Sequence, residues 1–99
     1  MIIIRVNAQI KPEERENFVA YLQQEKVDVF KKFAGCERFD LYKDLTDPNA
    51  FLLYEEWQTL DHFDAYRHSD FFKKNGEKLF PMMAGTPDSS YYQGTAVPV

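Results

Sequence analysis

FLLYEEWQTLDHFDAYRHSDFF, residues 51–72, decides how the rest of the chain is read. Phe51, Leu53, Glu55 and Trp57 alternate with Leu52, Tyr54 and Glu56, so a strand here carries Glu55 and Trp57 on one face. Thr59 offers a hydroxyl to an orphan backbone N–H and predicts a helix start directly after the strand. Leu60, Phe63 and Tyr66 continue a short helix, and Ser69 caps a second one that begins with the pair Phe71-Phe72. The chain's one tryptophan thus sits beside a carboxylate where a strand hands over to a helix, which marks a candidate pocket.

Upstream, Ile2, Ile4, Val6, Ala8 and Ile10 form a wholly apolar face of a first strand, and Ile3, Arg5, Asn7 and Gln9 form the other. An apolar face packs. The mixed face reads either as a solvated face or as buried polar groups that need partners. Pro12 with Glu13, Glu14 and Glu16 predicts a helix start. The stripe Phe18, Leu22, Val29 and Phe33 carries that helix to about residue 33, with Lys31, Lys32 and Gly35 as end signals. Glu25 projects into this stripe, where it reads as a rim residue that snorkels or pairs with a cation rather than as a pocket carboxylate.

Cys36 to Asp44 alternates again, and DLTDPNA at 44–50 is dense in turn formers, so this strand and the one at 51–57 make an antiparallel hairpin. Cys36 reads as a small buried hydrophobe. Phe72, Gly76, Leu79 and Met83 follow helical spacing until Pro81 interrupts it, and Gly76 in mid-helix suggests a close backbone approach or room for a ligand. The segment SSYYQGTAV supplies a last strand. The order is β-α-β-β-α-β, an α+β ferredoxin-like fold with an antiparallel four-stranded sheet, helices on one side. Residues 1–99 form a single domain.

Composition narrows the function. Nine phenylalanines, six tyrosines and one tryptophan are more ring surface than the core of so short a chain takes up, so the bare face of the sheet is expected to be covered by a second copy, as a homodimeric α+β barrel. A net charge of −4 without a basic run argues against nucleic acid and anionic membranes as partners. One cysteine excludes an internal disulfide, two histidines supply no spaced metal-ligand set, and MIIIRVNAQI is neither a signal peptide nor a membrane span. A reducing cytoplasm is the expected location.

The whole chain resembles the antibiotic biosynthesis monooxygenase (ABM) domain family of small dimeric α+β barrels. The resemblance rests on the strand order, Lys11-Pro12, Gly35-Cys36, and above all YEEW at 54–57 with the aromatic-rich stretch 65–72. RFDLYKD, LLYEEW and MMAGTP look most like its quinol-oxidising and signal-processing members. It implies a cofactor-independent monooxygenase for a small quinol or phenol. A non-catalytic ligand-binding or sensing domain, or an isomerase of a small hydroxyketone, are the alternatives. No cofactor and no metal are called for. The family's usual histidines are replaced by Tyr66 and Phe71, and the position of a haem-ligating histidine by Gly76 or Asn75. The expected catalytic set is therefore Asn7, Tyr66 and Glu55, with Arg5, Trp57 and Phe72 binding the substrate. Asn7 and Tyr66 are expected to matter more to turnover than His62 or His68.

Overall fold

The computed structural model describes all of residues 1–99. Strand β1 (Ile2–Gln9) is followed by a 3-10 turn at Pro12–Glu14 and helix α1 (Arg15–Lys32). Strands β2 (Cys36–Lys43) and β3 (Ala50–Trp57) form the hairpin, helices α2 (Leu60–Arg67) and α3 (Asp70–Leu79) follow, and β4 (Asp88–Gln93) closes the sheet. The strand order is β2-β3-β1-β4, with every neighbour antiparallel. This is the ferredoxin-like α+β fold, its second helical region split in two.

Local chemistry sets the boundaries. The hydroxyls of Thr59 and Ser69 accept from the backbone N–H groups of His62 and Phe72, so each of the two short helices starts on its expected cap. Pro81 follows two residues after α3 ends at Leu79, inside a 3-10 turn at Phe80–Met82. In the hairpin loop the Asp44 carboxylate accepts from the backbone N–H groups of Thr46 and Asp47, which closes the turn. After α1, Gly35 takes φ +87°, a left-handed conformation that redirects the chain into β2. Its carbonyl then accepts from the Gln58 N–H at 2.8 Å, tying the start of β2 to the end of β3.

The alternation along β1 resolves into two faces of a central strand. Ile2, Ile4 and Ala8 are buried beneath the helices, with Ile10 just past the strand end. Arg5, Asn7 and Gln9 are exposed on the opposite, bare face. There they neighbour Leu52 and Tyr54 of β3 and Asp88 and Ser90 of β4. The polar face therefore lies on an inner strand rather than on a sheet edge.

Beneath α1 the packing divides into two groups. One gathers Ile2, Ile4, Val29, Phe39, Trp57, Phe63 and Tyr66 around the fully buried indole. The other gathers Ala8, Ile10, Phe18, Leu22, Phe51 and Leu79 at the opposite end. A cavity lined by residues of both groups lies between them. No helix is long and apolar enough to cross a membrane.

Candidate functional site

A cavity of about 460 Å³ opens on the helix side of the sheet, within the ~300–1,000 Å³ span of small-molecule pockets. Its walls are mostly apolar, drawn from β1, α1, β3 and all the later elements. The lining residues that are also exposed, Phe72, Lys73, Glu77, Phe80, Ser89 and Tyr91, place its opening between α3 and β4. Gly76 lines it too, and a Cβ there would touch only the Phe80 ring, at 3.4 Å. No backbone from another element approaches this glycine closely.

Four buried polar side chains line the cavity, from four different elements. Glu55 projects from β3 and is 3 % exposed. One of its oxygens, Oε1, accepts from the Trp57 indole N–H at 2.9 Å. Burial pushes its carboxyl up to about 7, and the indole N–H, which favours the charged form, opposes that shift. Glu25 projects from α1 and is 4 % exposed. Burial and then the charge of Glu55 push its carboxyl up to about 8, while the nearby Asn75 amide pulls the other way.

Asn75 comes from α3 and is 7 % exposed. Its Oδ1 accepts from the Tyr21 hydroxyl at 2.8 Å, and its N–H side is turned to the Glu25 carboxyl, whose charged form it favours. Tyr66, from α2, completes the set. It stacks on Trp57 with centroids 5.1 Å apart and meets Phe72 edge-on, also at 5.1 Å. Burial, and then the carboxylates, raise its phenol above the ordinary value of 10.0, so at neutral pH it is a hydrogen-bond donor and not a base.

Of the expected site residues, Glu55, Tyr66 and Phe72 line this cavity together. Trp57 does not line it. The indole is fully buried behind Glu55 and Tyr66, where it positions the carboxylate rather than walling a ligand. Asn7 and Arg5 are not brought into the set. Their partners in the sheet, Leu52 and Tyr54, sit on the face opposite Glu55, so both side chains point away from the cavity. The period of two dictates this, because Asn7 and Ile4 have opposite parity and Ile4 is paired with Glu55.

Glu25 corrects the sequence reading: it is a pocket carboxylate, buried and without a cation. Its place in the middle of the α1 apolar stripe was the signal. Asn75 and Tyr21 carried no comparable signal, since only α3 packing beside α1 brings them together. His62 keeps its ring on the Thr59 hydroxyl at 2.8 Å, His68 is exposed, and neither lines the cavity. Burial pushes the Cys36 thiol up to about 12, which leaves it a poor nucleophile, as its position after Gly35 suggests.

Comparison with known proteins gives this geometry a setting. A family model described as antibiotic biosynthesis monooxygenase matches residues 1–77. The chain is 27 % identical over 92 residues to an uncharacterized protein of Synechocystis, covering 93 % of this chain and 62 % of that one, so it spans under two thirds of that relative's length. It is 26 % identical over 82 residues to YcnE of Bacillus subtilis, described as a candidate monooxygenase, covering 80 % of this chain and 85 % of that protein. Among solved structures, one from Nitrosomonas europaea superposes with a TM-score of 0.86 at 23 % identity, covering 97 % and 100 % of the two chains. Another, from Deinococcus radiodurans, does so at 0.89 and 18 % identity, covering 100 % and 98 %. Both are described as candidate antibiotic biosynthesis monooxygenases, and at these identities they speak for the fold alone.

Proposed function

The chain belongs to the antibiotic biosynthesis monooxygenase family, and on that premise we propose that it oxygenates a small phenol or quinol whose own anion gives the electron to O2. One observation carries the reading: two buried carboxyls, raised to about 7 and about 8, face the same apolar cavity. Groups poised near neutrality exchange protons in both directions at working pH.

In this reading ionised Glu55 takes the phenolic proton, and Tyr66 donates a hydrogen bond to the resulting oxyanion. The phenolate passes one electron to O2, and the two radicals join through a new C–O bond to a ring carbon, giving a peroxide anion that is protonated by the carboxyl. A carboxylate then removes the hydrogen from that carbon, the O–O bond breaks, and the departing hydroxide takes a proton to leave as water. The net change is phenol plus O2 to quinone plus water. Phe72 and the apolar walls hold the ring and keep water away from the charged intermediates.

The bare face of the sheet fits a second copy of the chain. Leu52 and Tyr54 of β3 are half-buried there, and Tyr42 and Tyr92 are exposed on the two edge strands, β2 and β4. Arg5 and Asn7 belong to this homodimer contact in the proposal, not to the chemistry. A lone cysteine that can form no internal bridge suits a reducing cytoplasm.

Oxygen uptake with a panel of small quinols and polycyclic phenols tests the reaction. Uptake with quinone formation, lost in Glu55→Gln, is expected. Thermal shifts without uptake across the panel would leave a binding domain, and sink the enzyme reading.

A further inference from the structure

The register of the sheet lays a path across the floor of the cavity. Ile4 of the central strand pairs with Glu55 on one side and with Tyr91 on the other, and Val6 pairs with Leu53 and Ser89 in the same way. All six residues line the cavity. Glu55 and Tyr91 are therefore two strand spacings apart, about 10 Å, with the carboxyl at the closed end and Tyr91 at the opening. Val6 shows that the path between them is open. It lies on the central strand beneath the helices, yet it is only half-buried, because what stands over it is the cavity.

Three exposed rings frame the opening, Phe72 and Phe80 on the α3 side and Tyr91 on β4. Two of them are held by rings of the core. Phe72 meets Tyr66 edge-on at 5.1 Å, and Tyr91 meets Phe63 edge-on at 5.2 Å, with the Arg67 guanidinium over the Tyr91 ring at 5.7 Å. The apolar lining thus continues from Glu55 to the surface and ends in exposed rings, a patch of the kind that marks a binding surface. A second copy on the bare face lies on the other side of the sheet from it. A single phenol ring bonded to Glu55 ends short of this opening, and leaves water against the apolar walls of the outer path.

We propose that the ligand is a phenol or quinol carrying an apolar chain, alkyl or isoprenoid, on the side of the ring away from its hydroxyl. The hydroxyl sits at Glu55, and the chain runs over Ile4 and Val6 and leaves between Phe72, Phe80 and Tyr91. This rests on the phenol-oxygenating reading of the cavity and narrows its substrate class. A chain so placed leaves the ring carbon beside the hydroxyl free to take the oxygen.

Anaerobic titration calorimetry with 4-methylphenol, 4-hexylphenol and 2-hexylphenol tests this, on the wild-type chain, Gly76→Leu and Phe80→Ala. Gly76 lines the path beside the Phe80 ring and has no positive φ, so leucine there narrows the passage and suits the helix. The expected result is that 4-hexylphenol binds the wild type about thirtyfold or more tightly than 4-methylphenol, as two or three methylenes buried at about fourfold each would give. The chain of 2-hexylphenol starts beside the hydroxyl and meets the closed end, so this isomer stays within about threefold of 4-methylphenol. In Gly76→Leu the advantage of 4-hexylphenol falls to within about threefold, and in Phe80→Ala it drops by about threefold or more. Equal gains for the two hexyl isomers overturn the path, and so does an advantage that survives in a folded Gly76→Leu chain. Phe80 is exposed, so Phe80→Ala spares the fold, and an unchanged advantage there overturns the exit between the rings. Binding of 4-methylphenol with no gain from either chain overturns the chain alone. Failure of all three probes to bind overturns the phenol-binding reading of the cavity, and the chain with it.

Discussion

The Trp57 indole N–H donates to Glu55 Oε1 at 2.9 Å across two residues of one strand. Neighbours of the same parity share a face of a strand, so the contact needs no other element to form. What the rest of the fold adds is burial: the indole is fully enclosed and the carboxyl is 3 % exposed. A charge-favouring hydrogen bond inside an apolar setting holds Glu55 near neutrality instead of letting it rise further.

That balance makes folding stability depend on pH. Glu55 and Glu25 both titrate higher in the folded chain, to about 7 and about 8, than their ordinary value of 4.5. Between 4.5 and 8 the folded state therefore holds more protons than the unfolded state, and stability falls as pH rises through this window. Urea unfolding should show the decline. Glu55→Gln, which still accepts from Trp57, should flatten it and exceed the wild type at pH 8 by on the order of 1–3 kcal/mol. A stability that rises from pH 5 to pH 8 in the wild type would contradict the raised carboxyls.

Trp57→Phe removes the N–H donor while keeping a ring. Without it Glu55 moves further up, so the ascending limb of oxygen uptake against pH shifts to higher pH. The smaller ring also leaves space beside Tyr66 and Phe63, at a loss of roughly 1–3 kcal/mol in unfolding experiments. A destabilised variant with an unmoved pH profile would show that the indole only fills space.

Gly35 and Gly85 both have positive φ, +87° and +106°, but only one is crowded. A Cβ at Gly35 would collide with the His62 ring, whereas one at Gly85 meets nothing within 4 Å. Gly35→Ala should therefore lose more stability than Gly85→Ala, whose cost is about 1 kcal/mol of backbone strain alone. Equal losses in a thermal melt would mean that His62 simply moves aside.

The bare sheet face gives a further expectation. Light scattering at micromolar concentration should give twice the 11.7 kDa of the chain, and Tyr54→Glu, in the middle of that face, should give the monomer. Arg5→Ala and Asn7→Ala should weaken association and leave oxygen uptake per folded dimer within about threefold, because neither side chain enters the cavity. Loss of uptake in Asn7→Ala with the dimer intact would restore that residue to the chemistry.

Alternation and capping were legible in residues 51–72 alone. The strand, the shared face of Glu55 and Trp57, and the helix starts at Thr59 and Ser69 follow from local rules that hold wherever the segment lies. Together with the apolar parity of β1 and the hairpin signal at 44–50, they set the ferredoxin-like order. Parity along β1 also separates Asn7 from Ile4, but it says nothing about β3. Only the pairing of Ile4 with Glu55 places Asn7 on the far side of the sheet from the cavity. Glu25, Asn75 and Tyr21 lie on two helices far apart in the chain, and their meeting depends on how α1 and α3 pack over the same sheet. A carboxylate in an apolar stripe has the same sequence signature whether it reaches solvent or a cavity. Which it does is decided by the neighbours that tertiary packing brings, and here those neighbours exclude water without supplying a cation.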